Sequence, residues 1–247
     1  KDFPFDLTPD QEKAVEEIED ENGKAIGGRI ANGWIGVEDP YNQYFPSYQL
    51  KTNDDLGEGS DFSKMTTLIN TLTDCLNNKG SKEELEKVLD MDQFLEYSAI
   101  SYMLGNFDDL RYNTNNSYVY FVPSTGKAVV IAYDYDWSLG LATGKDMSKV
   151  KPFDTYTMSG NISNLYKATL LNDSDIGLSL NYSKKDYQDR FLNYMKNALD
   201  DDCLKPEYLY SIVDQFKYTG TTFPKERTNV ASYMGKKTTT ILEALGN

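Results

Sequence analysis

The sequence predicts an α+β fold: a mostly helical lobe with a central β-hairpin, preceded by a small strand-rich N-terminal segment. Three observations predict it. Apolar residues recur at three- and four-residue spacing in several windows from Ser60 onward. One pair of β-branched and aromatic runs, Tyr118–Val122 and Ala128–Tyr133, flanks the turn sequence Pro123-Ser124-Thr125-Gly126. Ahead of these, Gly27, Gly28, Gly33 and Gly36 separate short apolar pieces, a pattern of short strands and turns. At 247 residues the chain has room for one large domain or two modest lobes. The expected division is 1–59 for the strand-rich segment and 60–247 for the helical lobe.

The elements follow in order. Thr8-Pro9-Asp10-Gln11 has capping-box spacing with Pro at the first helical position, so a short acidic helix is expected through about Glu21. Asp54 to Ser60 reads as an acidic loop. Phe62, Met65, Leu68, Ile69, Leu72, Cys75 and Leu76 then trace one face of a long amphipathic helix. Ser81 with Glu84 caps a second helix carrying Leu85 and Val88. Asp92 to Leu104 is apolar on most sides and should be a buried helix, stopped by Gly105. Beyond the hairpin, Lys145 to Asn181 shows little periodicity and reads as loop. Three helices close the chain, at Ser183–Leu199, Pro206–Phe216 and about Arg227–Leu245.

Composition removes whole classes of function. An apolar fraction of 39% with 13% aromatic residues marks a folded chain. A net charge of −14 without a basic stripe makes nucleic acid an unsuitable partner and favours cationic ligands or basic peptides. The absence of histidine excludes Ser-His-Asp and Cys-His nucleophile systems, zinc-protease helices and His-based acid/base pairs. Cys75 and Cys203 are too few and too far apart for a metal site or disulfide framework, and Cys75 reads as a buried free thiol. No apolar run reaches transmembrane length.

The hairpin carries the chemistry. Closing it brings the segment before Ser117 beside the segment after Tyr133, so Asn113 and Asn116 approach Asp134 and Asp136, with Asp108 one loop further back. Magnesium and manganese take such carboxylate and amide oxygens, together with substrate phosphates and water. The order is that of a kinase site: a buried helix, an Asp, an Asn five positions later, a hairpin, then an Asp. Each piece also has a plainer reading. Asp and Asn cap turns, and Asp-Tyr-Asp after a strand could cap a helix or hold calcium in a loop. A carboxylate-pair hydrolase built on Asp108 and Asp134 is a third reading.

The motif residues are Asn106-Phe107-Asp108, Asn113 to Asn116, Tyr118-Val119-Tyr120 and Asp134-Tyr135-Asp136-Trp137-Ser138-Leu139-Gly140. In this order the stretch resembles the CotH kinase family, atypical protein kinases known from spore coats and from many secreted bacterial proteins. The looser likeness runs from about Tyr48 to Leu245. The resemblance implies a protein-kinase-like C-lobe and transfer of the ATP γ-phosphate to protein Ser or Thr with Mg2+ or Mn2+. It also implies a catalytic role for Asp108, metal ligation by Asn113 with Asn116 as a second amide, and Asp134 as leading metal ligand with Asp136 competing. A Ser/Thr-rich, basic protein acceptor and a secreted or cell-surface setting, with spore coat as the alternative, are further expectations. The family's G-N-S-type motif and Lys-rich stretch have no counterpart here, and Lys24 and Lys51 are candidates by location alone. The nucleotide-binding portion is therefore expected either upstream of Lys1 or lost, and in the latter case the chain would be a non-catalytic binding module.

Overall fold

A computed structural model describes residues 63–141, 145–158, 160, 162–215 and 223–246. Among these the protein is α+β, with seven α-helices and one two-stranded antiparallel sheet. The expected N-terminal helix, the strand-rich segment and the lysines at 24 and 51 lie outside the described residues.

Helix α1 (Ser63–Leu76) buries Met65, Leu68, Ile69, Leu72 and Cys75, the predicted face. Helix α2 (Lys82–Val88) starts at a complete capping box. Ser81 Oγ accepts from the Glu84 amide at 3.2 Å, and the Ser81 amide donates to Glu84 Oε2 at 2.8 Å. Helix α3 (Met91–Leu104) is the central rod. It buries nine side chains spread around its circumference and ends at Gly105, whose φ of +67° closes the helix in the left-handed region.

The hairpin pairs β1 (Ser117–Phe121) with β2 (Ala128–Ala132), in the register Ser117↔Ala132 to Phe121↔Ala128. Ala128 and Val130 face the core. The outer edge of β2 is satisfied by a side chain of α3. Gln93 Nε2 donates to the Val130 carbonyl at 2.7 Å, and Gln93 Oε1 accepts from the Val130 amide at 2.9 Å. Together with the Asp90 amide, which donates to the Ala128 carbonyl at 2.9 Å, that clamp covers the strand edge and fixes the hairpin against the rod.

The stretch read as loop between Lys145 and Asn181 contains a helix, α4 (Asn164–Thr169), and two 3₁₀ turns at Met147–Lys149 and Ser174–Ile176. Six residues give too short a window for periodicity to register, and Ser163 makes no capping side-chain bond. Tertiary burial of Leu165, Tyr166, Ala168 and Thr169 decides the conformation instead. Helices α5 (Lys185–Asp200), α6 (Pro206–Gln215) and α7 (Phe223–Ala244) follow, with α5 packed along α3. No helix among the described residues is long and apolar enough to cross a membrane.

The core beneath the hairpin is aromatic and holds two buried cations. Phe94 meets Tyr166 edge-on at 5.4 Å between centroids. The Arg111 guanidinium carbon lies 5.0 to 5.6 Å from the ring centroids of Tyr112, Tyr102 and Tyr166. Lys237 of α7 sits 3.4 Å from the Tyr102 centroid and donates to the Met147 carbonyl at 3.1 Å. Burial, reinforced by the Arg111 charge, pushes its ammonium well below the ordinary lysine range.

Candidate functional site

The loop after α3 is built from the glycine outward. A Cβ on Gly105 would stand 2.0 Å from the Tyr233 hydroxyl oxygen, which donates to the Met103 carbonyl at 3.0 Å. Only glycine satisfies both that approach and the positive φ. The buried Asn106 then ties the two acidic segments together. Its Oδ1 accepts from the Asp108 amide at 3.0 Å, an Asx turn, and its Nδ2 donates to the Asp134 carbonyl at 3.0 Å. The Leu139 amide adds a second strap, donating to the Leu104 carbonyl at 2.7 Å.

Asp108 is half-buried, and asparagine amides surround its carboxylate. Oδ1 accepts from Asn113 Nδ2 and, at 3.5 Å, from Asn115 Nδ2, while Oδ2 accepts from Asn116 Nδ2 at 3.0 Å. Each donation fixes its amide's orientation and leaves that residue's Oδ1 as the end available to a cation. The pairing Ser117↔Ala132 sets Asn116 opposite Tyr133, with Asp134 one residue further. Asp134 and Asp136 are exposed. Partial burial first, then the charge and hydrogen bond of Asp136 and the charge of Asp108, raise the Asp134 carboxyl above its usual range. The three carboxylates thus share one electrostatic neighbourhood, and a cation among them would relieve their repulsion.

The backbone bends sharply at the same place. Thr114, Asn116 and Asp134 have φ of +53°, +45° and +56°. Asn and Asp tolerate this region, but for a β-branched threonine it is a strained conformation. The buried Thr114 is therefore held by its surroundings.

All five sequence-predicted residues lie at the hairpin base. Asp108, Asn113 and Asn116 are joined by hydrogen bonds, whereas Asp134 and Asp136 approach from the strand side. Four residues with structural parts in the site were not singled out from sequence. Asp109 is fully buried; its Oδ1 accepts from the amides of Arg111 and Tyr112, both at 2.9 Å, and its Oδ2 from Ser101 Oγ. Burial pushes its carboxyl up to about 6. Asn115, Ser101 and Tyr135 complete the set. The Asp-Asp pair was a visible signal, but which member faces inward depends on where the turn starts.

Among the described residues, no three His, Cys, Asp or Glu side chains form a metal-holding group, and no Lys or Arg pairs with Asp108, Asp134 or Asp136. The donor set suits a hard cation only with the amide oxygens of Asn113 and Asn116 counted beside the carboxylates. Next to them the exposed Trp137 stacks on Phe107, with centroids 4.8 Å apart.

Among curated proteins none matches the chain. The family described as CotH kinase protein matches residues 12–240, most of the length, and the chain belongs to that family.

Proposed function

We propose that the chain is an ATP-dependent protein Ser/Thr kinase of CotH type, with its phosphoryl-transfer centre at the hairpin base. One observation carries this reading: Asn106 links the backbone of Asp108, whose carboxylate is ringed by asparagine amides, to the backbone of the Asp134-Tyr135-Asp136 segment. Asp108 Oδ2 accepts a single amide and keeps acceptor capacity, so it can take the proton of a Ser or Thr hydroxyl. The freed hydroxyl oxygen bonds to the γ-phosphorus of ATP as the bond to the β,γ-bridging oxygen breaks, and ADP departs.

Asp134, with Asp136, Asn113 and Asn116, would hold Mg2+ or Mn2+. When bound, that ion supplies charge neutralisation for the phosphates. The protein's own contribution is placement, because the amides fix the Asp108 carboxylate and the left-handed turn at Asp134 sets the opposing carboxylates. Three acidic side chains at the centre and the −14 net charge favour a basic, Ser/Thr-rich acceptor segment. A secreted or cell-surface location, with a spore coat as the alternative, is part of the same proposal.

The second reading is a binding module that retains the fold without transfer. The exposed Trp137, stacked on the buried Phe107 beside the carboxylates, favours it. Incubation with γ-labelled ATP, Mn2+ and a Ser/Thr-rich basic peptide separates the two. The kinase reading expects label on the peptide with the unsubstituted chain and none with Asp108→Ala. Nucleotide binding without transfer, with any preceding residues of the natural protein included, would leave the binding module.

A further inference from the structure

The Asp-Tyr-Asp segment sends its two carboxylates to the rim and its tyrosine the other way. The Tyr135 hydroxyl donates to Ser101 Oγ at 2.9 Å, and Ser101 Oγ donates in turn to Asp109 Oδ2. Ser101 is buried on α3, the rigid rod. From Asp109 the connection continues into the loop backbone. Oδ1 holds the Arg111 and Tyr112 amides, and the Asp109 carbonyl accepts from the amides of Asn113 at 3.0 Å and Asn115 at 3.2 Å. Asn113 and Asn115 are two of the residues whose side chains donate to Asp108. A continuous path therefore runs from the strand end, through one serine hydroxyl, to the amides around Asp108.

We infer that Tyr135, acting through Ser101 and Asp109, is a positioning residue that holds the Asp134–Asp136 end of the hairpin in register with the Asp108 loop. What it positions rests on the function proposed above; the strap itself does not. It is separate from the Asn106 link, so the two acidic segments are tied at two points. A phenylalanine at 135 would keep the ring's packing and lose only the hydroxyl. Ser101 would then lose one partner and Asp109 would keep its loop contacts, with the link to the strand cut.

The test uses the full chain with Tyr135→Phe, Ser101→Ala, the double variant, and Tyr182→Phe as a matched control. The half-buried Tyr182 likewise donates its hydroxyl to an internal acceptor, the Ala168 carbonyl at 2.9 Å, away from the site. Hydrogen exchange on metal-free protein is expected to be about tenfold faster at the Arg111, Tyr112 and Asn113 amides in Tyr135→Phe, and unchanged there in Tyr182→Phe. Mn2+ affinity should fall about tenfold in Tyr135→Phe, the scale of an outer-shell loss. The double variant should bind no worse than Ser101→Ala alone, since one path is cut twice.

A Tyr135→Phe chain with unaltered loop exchange overturns the strap, even if its melting temperature drops as in the control. Faster exchange with unaltered Mn2+ affinity overturns the positioning role. Failure of the unsubstituted chain to bind Mn2+ removes the proposed site itself, a separate result that leaves the exchange measurement to decide the strap.

Discussion

Asp108 and Asp109 are neighbours in sequence and opposites in environment. Asp108 stands half-exposed at the rim, held by three asparagine side chains. Asp109 lies fully buried one residue later, held by backbone amides and a serine. Asp108 shares the rim with the exposed Asp134 and Asp136, whose charges repel one another, an arrangement costly for stability that a bound cation would relieve. In the layer below, every contact of Asp109 shapes the loop. On the proposed function, one turn would divide chemistry from scaffolding between adjacent identical residues.

The comparison can be broken by exchanging effects between its members. Asp108→Asn is expected to lower phosphoryl transfer about a thousandfold, within the usual range for a general base, at a stability cost of only about 1 kcal/mol, because one asparagine amide then faces another donor. Asp109→Ala should act the other way round. It leaves the Arg111 and Tyr112 amides and the Ser101 hydroxyl without their acceptor, at a cost of about 3 kcal/mol in urea unfolding. A severe stability loss in the first variant, or none in the second, would dissolve the distinction. Gly105→Ala comes next, at about 2 kcal/mol, because it combines a positive φ with a clash at the Tyr233 hydroxyl.

A pH series sharpens the same contrast. The folded-state value of Asp109 is raised to about 6, above its unfolded value, so the native state binds the extra proton. Its contribution is fully present below about pH 4 and is lost as pH rises through about 6. Asp109→Asn has no such titration. Between pH 4.5 and 7.5 its stability relative to the unsubstituted chain should therefore rise, by about 1–2 kcal/mol. The smallest effect belongs to a surface pair, Arg190 with the largely exposed Asp92. Asp92→Ala should change stability by less than about 0.5 kcal/mol.

Much of the lobe was legible because its signals are local. The α1 stripe, the Ser81 capping box, the Gly105 stop and the hairpin turn each lie within a few residues of what they determine. Asp108, Asn113, Asn116, Asp134 and Asp136 were legible for the same reason, since a hairpin brings its two flanks together whatever surrounds it. The helix at Asn164–Thr169 was not, because its stability comes from packing against distant segments rather than from its own pattern. The burial of Asp109 and the inward turn of Tyr135 depend on Ser101, a residue of α3 that the sequence presents only as a small polar interruption in an apolar helix. The readings before residue 63 concern the chain outside the described residues.

The central claim is that the hairpin base binds a metal-nucleotide complex through Asp134 while Asp108 serves the chemistry. Thermal melting with Mn2+ and ATP, on the unsubstituted chain, Asp134→Ala and Asp108→Asn, tests both halves at once. The account predicts a rise in melting temperature for the unsubstituted chain and for Asp108→Asn, and none for Asp134→Ala. Equal rises in all three, or none in the unsubstituted chain, would contradict it.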